Sequence, residues 1–174
     1  MMSEPTAPDA PGPGPDAGQP AAQRIFLVVV DESPELKVAL RYACLRAKKS
    51  AGRVALLYVI EPGEMQHWLA VENLMREEQR TEAEQKLQKL ARDVVAITGT
   101  LPVLYIREGD RRDELLALMQ EEPGISILVL GAGVGPEGPG PLISYFTSRG
   151  IARLGIPLTV VPGGLSDAQL DAIT

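Results

Sequence analysis

Cysteine, histidine and aromatic side chains are all scarce in this 174-residue sequence, which holds one Cys, one His and 4% Phe, Trp and Tyr. The lone thiol, Cys44, can close no internal disulfide, and its place inside an apolar helical pattern is that of a core residue. The lone imidazole, His67, has no second histidine with which to share a metal. The serines lie in no nucleophile elbow, so an acyl-transfer triad has no visible parts. No Lys/Arg cluster exceeds the stretch from Arg46 to Lys49, and the net charge is -6, so nucleic acid is not an expected partner. No apolar run approaches membrane-spanning length, and the start of the chain has no apolar h-region. Neither membrane nor secretion is expected, and a cytoplasmic location is.

Familiar phosphate loops are missing too. No G-x-x-x-x-G-K-[ST] occurs, which excludes a Walker-type loop. Gly133, Gly135 and Gly138 satisfy G-x-G-x-x-G, but Pro136, Pro139 and Pro141 interrupt them and they follow the fourth strand, where a dinucleotide fingerprint follows the first. Asp31 and Glu32 have the placing of a receiver domain's acidic pair. That reading needs an acceptor aspartate after the third strand and a lysine after the fifth, where Arg107–Glu108 and Pro162–Gly163 stand instead.

What remains is an ordinary globular composition, 45% hydrophobic and 23% charged, with proline and glycine gathered toward the ends. Residues 1–23, "MMSEPTAPDAPGPGPDAGQPAAQ", carry no large side chain beyond the methionines and read as a disordered tail. About 150 residues are left, enough for one core burying roughly 70% of the unfolded chain's surface.

"RIFLVVV" (24–30) is a continuous apolar run, the pattern of a strand covered on both faces. In "DESPEL", Ser33 is the expected N-cap, with Pro34 at the first helical position and Glu35 near the positive end of the dipole. Leu36, Ala39, Leu40, Ala43, Cys44 and Ala47 then recur at helical spacing until Gly52. "RVALLYVI" (53–60) is a second strand. A long helix over 65–98 carries Leu87, Leu90, Val94 and Ile97 on one face. "LPVLYIREG" is a third strand, after which Asp110 caps "RRDELLALMQ". "ISILVLGAG" (125–133) is a fourth, and a helix around 142–154 leads to the fifth, "IPLTVVPG". Strands alternating with helices predict an α/β fold, a five-stranded parallel sheet with helices on both faces. Ligands of such sheets sit beyond the carboxyl ends of the strands. The residues there are Asp31 and Ser33, Val59 to Glu61, Arg107 to Asp110, and Gly131 onward.

"VVVDES", "LLYVIEP", "REGDRRDELL" and "ILVLGAG…SRGIARLGIPLTVVP", in that order, resemble the universal stress protein family over residues 24–163. The resemblance implies a Rossmann-like open sandwich of the adenine-nucleotide alpha-hydrolase type that pairs through its last strand. It leaves ATP binding open, since only some members bind ATP. In those members an Asp ends strand one, matching Asp31, and the end of strand two lies on the adenine, matching Val59. Strand four opens into Gly, two residues, Gly, nine residues, Gly, then Ser or Thr. With the first glycine on Gly131, preceded by Leu130, the others fall on Val134, Ser144 and Tyr145, three departures in four. Gly133 and Gly135, with Thr147, Ser148 and Arg149, offer a shifted cradle.

The plainer reading of the loop is a connection stiffened by its prolines, with Asp31 as a turn or capping acid. The resulting expectation is a non-enzymatic stress-response or regulatory module with a degenerate nucleotide loop. An adenine-nucleotide sensor or slow ATPase is the alternative. A homodimer is expected through Leu158, Thr159, Val160 and Val161, which hides a sheet edge. The helix carrying His67 and Trp68 is a candidate partner surface, and for residues 165–174 docking and disorder are equally compatible with the sequence.

Overall fold

The computed structural model describes residues 23–63 and 69–174, with the side chains of 69–72 also outside the description. The expected tail and the His67/Trp68 pair therefore lie outside the described residues. Five strands, β1 (Ile25–Val30), β2 (Arg53–Ile60), β3 (Val103–Glu108), β4 (Ile125–Ala132) and β5 (Leu158–Pro162), form one sheet in the order β3-β2-β1-β4-β5. Every neighbouring pair is parallel. The order reverses between β1 and β4, so the carboxyl ends of these two central strands frame the crevice where ligands of open sheets bind.

The strands are apolar throughout because both faces are covered. Phe26, Val28 and Val30 of β1 pack with α1 (Leu36–Lys49), α2 (Leu69–Thr98) and α6 (Asp167–Ile173). Leu27 and Val29 face the opposite way, toward α3 (Arg111–Glu121), α4 (Pro141–Tyr145) and α5 (Ile151–Leu154). Burying each such side chain is worth about 1.5–3 kcal/mol. A one-residue register shift separates Ile25 from Phe26 against β4, and there the Ile25 N–H donates to the Ser126 hydroxyl. The side chain supplies the ladder bond that the shift removes.

In α1 the buried residues are Leu36, Ala39, Leu40, Ala43, Cys44 and Ala47, the six at the expected spacing. Burial foremost, with Asp93 nearby and Arg41 opposing, pushes the Cys44 thiol up to about 12. It is protonated at neutral pH and inert as a nucleophile.

Three local expectations are corrected. Helix α1 begins at Leu36, with Glu35 at the cap position and no side-chain cap bond. Ser33 lies in the turn before the helix, where its N–H goes to the Asp31 carboxylate at 2.9 Å and its carbonyl accepts the Leu36 N–H at 3.3 Å, so the cap position falls two residues later. At the other end Ala51, not Gly52, adopts positive φ, and the Gly52 N–H returns to the Ala47 carbonyl at 2.8 Å. This is a Schellman closure with alanine in the left-handed position. Gly52 is required for a different reason, since a Cβ there would stand 2.8 Å from the Arg24 carbonyl. Finally, the helix expected over 142–154 is broken into α4, a π turn at Phe146–Gly150, and α5.

The last ten residues dock. Ser166 and Gln169 form a reciprocal capping box, and the Leu170 side chain is fully buried against α1. Arg41 of α1 pairs with Asp171 at 2.8 Å and Asp167 at 3.4 Å. Among the described residues no helix is long and apolar enough to cross a membrane.

Candidate functional site

Asp31 leaves the end of β1 at the crevice. Its Oδ1 accepts the Ser33 N–H, a local ring that turns the chain toward α1. Its backbone carbonyl accepts from Lys86 Nζ at 2.9 Å, and Lys86 also pairs with Glu32 and lies 5.6 Å from the centre of the Tyr58 ring. A cation on α2 thus pins the tip of β1. Sequence reasoning missed Lys86 because 55 residues separate it from Asp31.

Gly131, near the end of β4, lies beneath the first turn of α1. A Cβ on Gly131 would stand 2.7 Å from the Glu35 carbonyl oxygen and 2.8 Å from the Glu35 Cβ. One on Gly163, just past β5, would stand 2.3 Å from Glu35 Cγ. These glycines let α1 descend onto the strand tips. Their role here is close packing of backbone, whatever the crevice holds.

The loop after β4 bonds to itself. The Gly133 N–H donates to the Pro139 carbonyl at 3.3 Å, and the Gly138 N–H donates to the Gly135 carbonyl at 3.2 Å. Gly138 and Gly140 take φ of +87° and +105°, values that bend the loop back and that other residues rarely adopt. Pro136, Pro139 and Pro141 supply no N–H at all. The backbone donors that a glycine-rich loop would turn toward an anion are therefore committed or lacking at these positions.

Asp31, Ser33, Leu130 and Gly131 line one small cavity of about 70 Å³ in the crevice. Val29, Leu36 and Ala39 complete its apolar side, residues 139–143 form another wall, and Arg111 of α3 closes the set. The structure does not bring the remaining candidates there. Val59 is buried in the core on the α3 face of the sheet, and Gly133 sits in the closed loop. Ser144 is exposed. The Tyr145 hydroxyl accepts from Arg153 at 3.0 Å, its ring lies edge-on to Phe146 at 5.2 Å, and the Arg112 guanidinium stands 4.8 Å from the ring centre.

Arg111 is the lining residue that sequence reasoning passed over, although it stands one position beyond the rim stretch ending at Asp110. Its Nη2 donates to Glu61 at 2.9 Å across the crevice. Its Nε is buried with no hydrogen-bond partner among the described residues. Asp110 holds the start of α3, accepting from the N–H groups of Arg112 and Asp113 at 3.0 Å each.

No curated protein matches the sequence significantly. Among solved structures, universal stress protein UspA from Lactobacillus plantarum superimposes with a TM-score of 0.66 at 19% identity, covering 82% of this chain and 99% of that one. A universal stress protein family protein from Arabidopsis thaliana with AMP bound gives 0.55 at 16% identity, over 80% of this chain and 91% of that one. The universal stress protein from Archaeoglobus fulgidus in complex with dAMP gives 0.54 at 14%, over 80% and 98%. At these identities the structural likeness speaks for the fold. The universal stress protein family model matches residues 23–162, nearly all of the sheet and its crossovers, and by that match the chain belongs to the universal stress protein family.

Proposed function

We propose that this chain is a non-enzymatic regulatory module of the cytoplasm, acting as a homodimer, in which the phosphate loop is closed against a nucleoside triphosphate. The observation that carries the reading is the bond between the Gly133 N–H and the Pro139 carbonyl. Opening the loop for a triphosphate would break that bond and the Gly135–Gly138 turn. Calorimetric titration with ATP and magnesium is expected to show no saturable binding at micromolar concentration. Stoichiometric binding that an Asp31→Ala variant loses would overturn it.

A second reading, an adenine-nucleotide sensor, draws on the cavity between Asp31 and Gly131 at the strand-order reversal. It also draws on the AMP and dAMP complexes of the structural neighbours. The same titration with AMP separates the two, because a sensor limited by its closed loop takes the shorter nucleotide.

Two surfaces support action through partners. In the first half of α2, Leu74 and Met75 stand well exposed. On β5, an outer strand of the sheet, Val160 leaves 38% of its surface exposed while Val161 is buried. Antiparallel pairing of two β5 edges would cover Val160 and satisfy the outer backbone groups. Val160→Pro removes one strand N–H and is expected to weaken dimerisation at least about tenfold. Light scattering across a dilution series measures this, and an unchanged dimer mass would refute the β5 interface.

A further inference from the structure

We propose that Arg111 is the anion-binding residue of the crevice, holding the phosphate of a small phosphomonoester. The inference rests on the closed loop and deepens the second reading: with the Gly133 and Gly138 N–H groups committed within the loop, a side chain takes over as the main donor to an anion. Among the described residues the charged side chains lining the cavity are Asp31 and Arg111, and only the second attracts an anion. The N-terminal donors of α3 are not available in its place, because Asp110 occupies the N–H groups of Arg112 and Asp113.

The pairing of Arg111 is incomplete. A guanidinium is suited to two parallel hydrogen bonds to one oxyanion. Here a single Nη2 contact reaches Glu61, whose side chain is 50% exposed, while the buried Nε has no partner among the described residues. A guanidinium held by one half-exposed carboxylate keeps donors that a phosphate oxygen can take. Glu61 then acts as the competitor, an exposed carboxylate that holds the guanidinium weakly between ligands.

Size selects the ligand class. A cavity of about 70 Å³ has room on the order of five water molecules, the scale of one phosphate group. Sites that enclose larger ligands start at about 300 Å³. The phosphate and its ester carbon therefore occupy the cavity, and the rest of the molecule lies at the mouth.

The test uses the full chain and calorimetric titration with inorganic phosphate, AMP, adenosine and ATP with magnesium. Variants Arg111→Gln, Arg111→Lys and Glu61→Gln are compared, with circular dichroism melts to confirm folding. Phosphate and AMP are expected to bind wild type, with adenosine at least about tenfold weaker. Arg111→Gln should lose AMP affinity by about tenfold or more, Arg111→Lys by less, and Glu61→Gln should gain about threefold. Equal AMP affinity in wild type and Arg111→Gln, equal affinity for adenosine and AMP, or no binding of AMP at millimolar concentration would each overturn the assignment. ATP binding tenfold tighter than AMP overturns the closed-loop reading instead, and the wild-type to Arg111→Gln ratio still judges Arg111.

Discussion

Gly131→Ala is expected to destabilise the protein by about 3 kcal/mol, in the range for forcing an atom into a packed interior. The added Cβ would meet the carbonyl oxygen, Cβ and carbonyl carbon of Glu35 at 2.7, 2.8 and 2.9 Å. Two of those atoms are backbone, so no rotamer change relieves the clash, and the first turn of α1 must lift off the tip of β4. For a domain of this size the midpoint of thermal unfolding should fall by roughly 6–12 °C. Gly135→Ala is the matched control four residues on. Its Cβ would meet nothing within 4 Å, and its φ is not positive, so a change of no more than about 0.5 kcal/mol is expected. Urea unfolding of the two variants decides the matter. Equal stabilities would mean that Gly131 is not held by packing, and its role would then have to be sought in a ligand.

The second large effect lies at the other end of the chain. Leu170→Ala is expected to cost about 3 kcal/mol, because Leu170 is fully buried and its truncation leaves a void between α6 and α1. Asp171→Asn, which removes the charge from the 2.8 Å pair with Arg41, should cost less than about 1 kcal/mol, since Asp171 is half exposed. The ordering separates two accounts of the C-terminal helix. If hydrophobic burial holds α6, the leucine dominates; if the ion pairs hold it, the aspartate does. Thermal melts in which Asp171→Asn falls as far as Leu170→Ala would refute the burial account.

The parts of the fold that were legible from sequence are those set by short-range periodicity. Helix α1 is the clearest case, since a period of 3.6 residues places six side chains on one stripe and nothing distant is needed to bury them together. The Asp110 cap was legible for the same reason, the N–H groups it accepts from being two and three residues away. Ser33 shows where local reading stops short. Its hydroxyl fits a cap by propensity, but the turn that Asp31 closes on the Ser33 N–H shifts the start of the helix two residues on, to a cap position at Glu35. The break in the helix at Phe146–Gly150 was not legible either. The Tyr145 ring occupies the space beside Gly150, where a Cβ would come within 2.3 Å of a ring carbon, and that contact depends on how α4 and α5 pack.

The candidate site divides in the same way. The carboxyl ends of the strands could be named in advance as a rim, because the alternation of strands and helices implies a parallel sheet whose ligands lie there, but not that β1 and β4 are the two that frame the crevice. Lys86 and Arg111 could not be assigned roles there, since one comes from the middle of α2 and the other from α3 and neither carries a local signature. The closure of the loop lies between these cases. Its glycines and prolines were plain to read, but whether they open toward a ligand or fold onto Pro139 depends on two positive φ angles and one hydrogen bond.

By itself, then, the sequence determined the elements, their parallel arrangement and the family, because hydrophobic period and chain direction are properties of neighbouring residues. Only the tertiary structure decided which strands adjoin at the centre, that α6 completes the core, and that Asp31 and Arg111 share a cavity. Those outcomes depend on side chains tens of residues apart reaching the same few ångströms, and an arrangement of that kind exists only once the sheet has closed its order.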